Sequence, residues 1–211
     1  MSTRTQASVT PRAARAVADE WDELAAPTAA PRPFDPDAME ALPPPIARWM
    51  RHAIEPGTPL TLGVQLAMHG QIRIGAWRPF TARQVLAAQR GFIWAARATV
   101  GRLPVTGFDR YVDGQGENAR ARVEVDVDGT RHEIEITVDD VGRPVSATMP
   151  RWGNPLSEPF GLYPFGALFT GERRSGGVLM SDRIEAGWFA GTERWRDGVF
   201  FRAAIDEVLH R

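Results

Sequence analysis

The 211 residues are enough for one substantial core, or a core and a tail, and 43% hydrophobic residues is ordinary for a globular chain. A formal charge of -1 and a pI near 6.4 leave no basic excess to neutralise a phosphate backbone, which argues against nucleic acid as a partner. Cysteine is absent, so disulfides, thiolate metal sites and cysteine nucleophiles are all excluded.

No apolar stretch follows the polar residues Met1 to Gln6, and no run approaches the roughly 18 apolar residues that a membrane helix needs. The expectation is a cytoplasmic chain without a signal peptide or an integral membrane segment. Every basic residue other than His is Arg, a composition that fits a GC-rich bacterial genome.

In chain order, residues 1–36 read as an N-terminal arm, partly disordered, and 37–211 as a single β-rich domain. Within the arm, Val17, Trp21, Leu24 and Ala25 recur at helical spacing, so a short helix over 12–26 is expected. It is either a frayed tail or a cover for another surface, and Trp21 decides which. After Pro43-Pro44-Pro45, the residues Ile46, Trp49, Met50, Ala53 and Ile54 predict a second helix that Glu55-Pro56-Gly57 ends, with Arg48, Arg51 and His52 on its solvated face.

From Leu60 the apolar period becomes two, with His69-Gly70 as a bulge or bend and Ile72 and Ile74 beyond it. Thr81 is expected to cap a short helix over Ala82–Ala88, before a strand at Phe92 to Ala98. Phe108–Val112 reads as a strand that Asp113-Gly114-Gln115-Gly116 turns around.

Placing Asp128-Gly129 at a hairpin turn sets Val127 opposite Thr130, Asp126 opposite Arg131, Val123 opposite Ile134 and Arg122 opposite Glu135. The next loop, Asp140 to Arg143, sets Val138 opposite Val145, Ile136 opposite Ala147 and Ile134 opposite Met149. Residues 150–164 have loop composition, and strands resume at Phe165–Arg173, Val178–Trp188 and Val199–Val208. The fold class expected is α+β, mostly antiparallel β: a curved, half-barrel-like sheet covered by one or two N-terminal helices.

The stretches Leu42 to Trp49, Met68-His69-Gly70-Gln71-Ile72-Arg73, Trp77 to Gln84, Gly91 to Arg97 and Asp109 to Gly116 together resemble an uncharacterised bacterial family, a domain of unknown function. Asp140 to Val145 and Gly187-Trp188 are similar too, so the resemblance spans roughly 42–206. The family carries a further segment with its own helix between the Asp-Gly-Gln-Gly residues and the meander. This chain passes almost directly from Gly116 to the strand at Val123, which implies that a ligand site built from that segment is missing. No activity comes with the resemblance.

Motifs of known chemistry are lacking. The histidines show no zinc-binding spacing, Asp126 to Gly129 falls short of a calcium loop, Gly114 and Gly116 form neither a dinucleotide fingerprint nor a P-loop, and Ser175-Gly176-Gly177 is no nucleophile elbow. No cofactor and no metal are expected. The distinctive feature is aromatic: Trp49, Trp77, Phe80, Phe92, Trp94, Phe108, Tyr111 and Trp188 fall mainly on positions read as inward, where they either fill a core or line an apolar cavity. Arg73, Arg78 and Arg97 stand beside them and suit a carboxylate head group.

The first functional reading is therefore non-enzymatic binding of an apolar or acyl-type ligand, in a shape like that of lipoprotein-carrier half-barrels. The alternatives are an enzyme of unknown class that uses His69 or Asp109 as base, and a protein-interaction module built on the Trp21 arm.

Overall fold

The structure, a computed structural model, describes residues 10–27, 29–88, 90–98, 101–107, 110–117, 120–127 and 130–211; residues 91, 98 and 101–131 are described by backbone alone. The arm forms a 3-10 turn at Arg12–Val17 and helix α1 at Ala18–Leu24, and β1 (Arg32–Pro33) then leads to α2 (Pro44–Ala53). Pro44 and Pro45 start α2 at the positions where a missing N–H costs nothing. Next come β2 (Pro59–Leu60), β3 (Gly63–Ile74), β4 (Ala76–Ala87), β5 (Gly91–Ala98), β6 (Gly101–Gly107), β7 (Arg110–Glu117), β8 (Arg120–Val127) and β9 (Thr130–Val138). The chain ends with β10 (Pro144–Gly153), β11 (Gly161–Thr170), β12 (Arg173–Ser175), β13 (Val178–Met180), β14 (Arg183–Trp188), a helical turn α3 (Trp195–Gly198) and β15 (Val199–His210).

Eleven of these strands form one antiparallel sheet in the order β6-β5-β4-β3-β15-β14-β11-β10-β9-β8-β7, while β1-β2 and β12-β13 pair separately. The sheet is two meanders, β3 to β6 and β7 to β15, joined where the last strand returns to β3. The strands at its two ends, β6 and β7, are separated by only two residues in sequence. Such a link spans at most about 11 Å, so the sheet must roll until its ends approach. No ladder joins them among the described residues, and the roll stays open.

Side chains alternate between faces, and the register carries one apolar face across eight adjacent strands, β9-β10-β11-β14-β15-β3-β4-β5. On this inner face Leu66, Met68, Phe80, Ala82, Ala96, Ala203 and Ile205 are buried together, with Met180 of β13 packed on them. Helix α2 lies against β7, β8 and β9 and bridges to β13 through Ile54 and Val178. The opposite face of β4 and β5 presents Val85, Ala87, Ile93 and Ala95, and there the arm docks through Ala14, Trp21, Leu24 and Ala25. Trp21 is 1% exposed, so the arm's helix covers a surface. The two N-terminal helices thus lie on opposite sides of the sheet.

Several local expectations change. Ala82–Ala88 is not a helix: β4 continues to Ala87, because both of its faces are buried and the alternation is masked by apolar residues on each side. Asp113 to Gly116 is not a turn but part of β7, bulged between Val112 and Gly114. His69-Gly70 is unbent within β3, and the bulge lies across the ladder in β15, between Ile205 and Glu207. Residues 150–164 are not all loop; Pro150 and Pro164 face each other in the β10-β11 ladder beyond the ladders to β9 and β14, so neither missing N–H is needed. The β8-β9 register is the expected one at all four pairs. Ile136 faces Ala147, but a bulge sets Val138 opposite Pro144 rather than Val145.

The β9-β10 turn seats α2. Gly142 has φ +99°, and a Cβ there would lie 2.6 Å from the Arg48 carbonyl oxygen. Asp139 Oδ1 accepts from the amides of Val141 (3.0 Å) and Arg143 (2.8 Å). Burial pushes the Asp139 carboxyl up, but the amides of Arg143, Val141 and Gly142 and the Arg143 charge together hold it below the ordinary carboxylate range. Its ionised form therefore contributes stability above the unfolded value, near about pH 4, and that contribution is lost as pH falls through the lower folded value. Urea midpoints of Asp139→Asn against the parent chain should differ at neutral pH and converge in acid; a gap independent of pH would refute this role.

Candidate functional site

The aromatic and basic residues singled out above do not form one site. Phe80 and Trp94 share the inner face and meet Phe201 of β15. Phe80 stacks on Phe201 at 5.2 Å between centroids, and Trp94 stands edge-on to both rings at 5.7 and 6.1 Å. The alanines 82, 96 and 203 beneath them leave the room that these rings fill. Each such pair contributes about 0.5–1.5 kcal/mol beyond area burial. Here the aromatics close on each other.

Trp77 and Arg73 lie on the other face, since residue 77 has the opposite parity to residue 80 in the same strand. The guanidinium groups of Arg202 (4.6 Å) and Arg73 (5.8 Å) both lie over the Trp77 ring. Arg73 also donates to the Asp197 carbonyl, and Arg202 pairs with Glu185 at 2.9 Å. Arg78 is exposed at the rim of the inner face, and Trp49 is partly buried on α2. The side chain of Tyr111 and the whole of Phe108 and Asp109 lie outside the described residues. His69 is exposed on the outer face, where both oxygens of Asp206 approach its Nδ1 at 2.8 and 2.9 Å.

The inner face changes character between the aromatic cluster and α2. There Ala147, Ala167 and Ala186 are directly opposed on three adjacent strands, in one row that runs from Ile136 to Phe201. The row on one side holds Met149, Phe165 and Trp188, and the row on the other holds Phe169 and Ile184. Large side chains thus wall a floor of methyl groups. All eight of these residues remain partly exposed, although they occupy central strands of the sheet. In a filled core the floor would be covered first. The trough ends at the Phe80-Trp94-Phe201 cluster on one side and, on the other, at β9, where Val138 is 1% exposed.

Arg151 stands at the mouth. Its guanidinium lies over Phe165 at 4.5 Å and over Trp188 at 5.3 Å, and these rings meet edge to face at 5.3 Å. Among the described residues Arg151 has no carboxylate partner. Sequence reasoning missed this cation because the prolines made 150–164 look like loop. The signal was the continued alternation of Met149 and Arg151 past Pro150.

The cover over this face is tied down by charge. His52 of α2, expected on a solvated face, instead reaches Glu172 at 2.5 Å, and Arg143 of the β9-β10 turn takes the second Glu172 oxygen at 3.0 Å. At the end of α2, Glu55 pairs with Arg174 at 2.7 Å, and its amide donates to the Gly177 carbonyl at 2.9 Å. Among the described residues no group of three or more His, Asp or Glu is placed to hold a metal ion, and no helix is long and apolar enough to cross a membrane.

None of the curated proteins matches the chain. Two solved structures resemble it. A LolA superfamily protein of Nitrosomonas europaea is 8% identical with TM-score 0.39, covering 72% of this chain and 86% of that one. A domain described as an outer membrane lipoprotein-sorting protein, from Vibrio parahaemolyticus, is 7% identical with TM-score 0.40, covering 79% and 89%. In sequence, residues 32–119, from β1 to just past β7, match the model of a family of unknown function, DUF6544.

Proposed function

We propose that the chain binds an apolar, acyl-type ligand in the trough of the inner face. The observation that carries this reading is the accessible alanine floor at the centre of a sheet whose flanking rows are large and apolar. An alkyl chain laid along the row from Ile136 toward Phe201 would cover that floor, and each buried methylene contributes roughly 0.8 kcal/mol. Arg151 supplies a cation where a carboxylate head group would emerge, and stacking on two rings pre-orients its planar fork. Among the described residues, the side chains that line this trough include no general acid or base.

Native mass spectrometry of freshly purified protein, compared with the denatured mass, tests the reading directly. A retained small molecule that denaturation releases is the expected result. A protein that is empty, and that neither takes up a long-chain fatty acid nor binds an environment-sensitive apolar dye, would remove it.

A further inference from the structure

We infer that the outer face carries a second, polar site that binds the phosphate group of a small molecule or lipid. It lies across β3, β4 and β5, on the side of the sheet opposite the trough. Here His69, Thr81 and Arg97 are directly opposed in one row, so their side chains leave the same face as close neighbours. The bulge in β15 between Ile205 and Glu207 lies beside this row, and the Asp206 carboxylate there holds His69 through Nδ1. That contact orients the ring through Nδ1 and leaves Nε2 without a hydrogen-bond partner among the described residues, a donor when the imidazole is doubly protonated.

Thr81 and Arg97 of this row line a groove of about 450 Å³ that the N-terminal arm walls on one side, and His69 stands beside it, held by the Asp206 that also lines it. Arg12 of the arm, Arg83, Arg97, Thr81, Asp206 and Glu207 line it with polar groups. Three guanidinium groups therefore face two carboxylates. Arg83 is matched by Glu207 at 3.2 Å, and Asp206 is hydrogen-bonded to His69; even with that imidazole neutral, three guanidinium groups outnumber two carboxylates. Arg12 and Arg97 have no ion-pair partner among the described residues. The uncompensated charge is positive, and it comes from two forked donors beside a hydroxyl and an imidazole. A tetrahedral oxyanion with several acceptor oxygens satisfies such a set better than a planar carboxylate does, which selects phosphate.

The arm contributes Arg12 only because Trp21 and Ala14 dock it on β4 and β5. The site is thus assembled from segments far apart in sequence: residue 12 with 69, 81, 97 and 206. None of it is shared with the apolar trough.

Calorimetric titration of the full chain with inorganic phosphate and methyl phosphate, and binding to phosphatidylcholine vesicles with and without phosphatidic acid, tests the site. Arg97→Gln is expected to weaken phosphate binding by about ten-fold or more, whereas Arg78→Gln, an exposed arginine on the opposite face, leaves it unchanged. The His69 Nε2 signal in 15N NMR should shift on phosphate addition to the parent chain and stay fixed in Arg97→Gln. Saturable binding of the soluble phosphates with this variant pattern assigns the site to small molecules. The same pattern seen only on phosphatidic acid vesicles assigns it to a lipid head group. Absence of binding in every arm, or equal binding by both variants, overturns the inference. Failure here would leave the trough untouched, since apolar ligand retention reads the other face.

Discussion

Gly70→Ala is expected to cost at least about 3 kcal/mol of stability, the range of severe backbone and packing defects. A Cβ at residue 70 would lie 1.9 Å from the Arg202 carbonyl oxygen and 2.9 Å from the Ala203 Cα, so β15 must retreat from β3. That pairing is the joint between the two meanders, and it brings together residues 64–72 and 201–210. Among the described residues, every other ladder of the large sheet links strands that follow each other along the chain, apart from β11 and β14, which only the small β12-β13 pair separates. A retreat there separates the halves of the inner face and removes Phe201 from Phe80 and Trp94. Gly161→Ala makes a control, because its nearest contact would be an ordinary 3.5 Å to the Tyr163 ring. Urea unfolding should shift strongly for the first and little for the second. A Gly70→Ala midpoint within about 1 kcal/mol of the parent would mean that the two strands are not held this closely.

Ala167→Trp is expected to abolish retention of an apolar ligand while leaving the chain folded. Ala167 is the middle residue of the alanine floor, with Ala147 on one side and Ala186 on the other. An indole placed there fills the trough between the Phe165 and Phe169 rows with the apolar bulk a ligand would otherwise supply. The partial exposure of all three alanines leaves space for it, so stability should change by less than the roughly 1–3 kcal/mol that overpacking a filled core costs. The readouts are native mass and dye affinity, beside a urea midpoint. Ligand retention that survives Ala167→Trp would place the ligand elsewhere. A large loss of stability with no ligand in the parent chain would show a filled core. Arg151→Gln separates tail from head: uptake of a long-chain alcohol should persist while preference for the matching carboxylate falls.

Much of the architecture was readable because it depends on residues close in sequence. Helix α2 followed from three prolines and a 3.6-residue period, and the β8-β9 register from one Asp-Gly turn and alternating charge. The curved antiparallel sheet followed from strand after strand at short spacing. The trough was legible only in part. Its apolar alternation over β9 to β11 was visible, yet the aromatic residues chosen to line it are divided between the two faces. Trp77 was misplaced because an expected helix at Thr81 hid the parity that links it to Phe80. Arg151 was missed because two facing prolines were read as breakers.

The sequence by itself determined most of the strands, the β8-β9 register and the inward stripe across β9 to β11, since alternation and turn chemistry act over a few residues. Only the tertiary structure decided which strands became distant neighbours. The return of β15 to β3 sets Phe201 on Phe80, brings Asp206 to a histidine 137 positions away, and leaves alanines where larger side chains would have closed the inner face. Such contacts carry no local period, because they rest on how far the sheet rolls and on a bulge in its last strand.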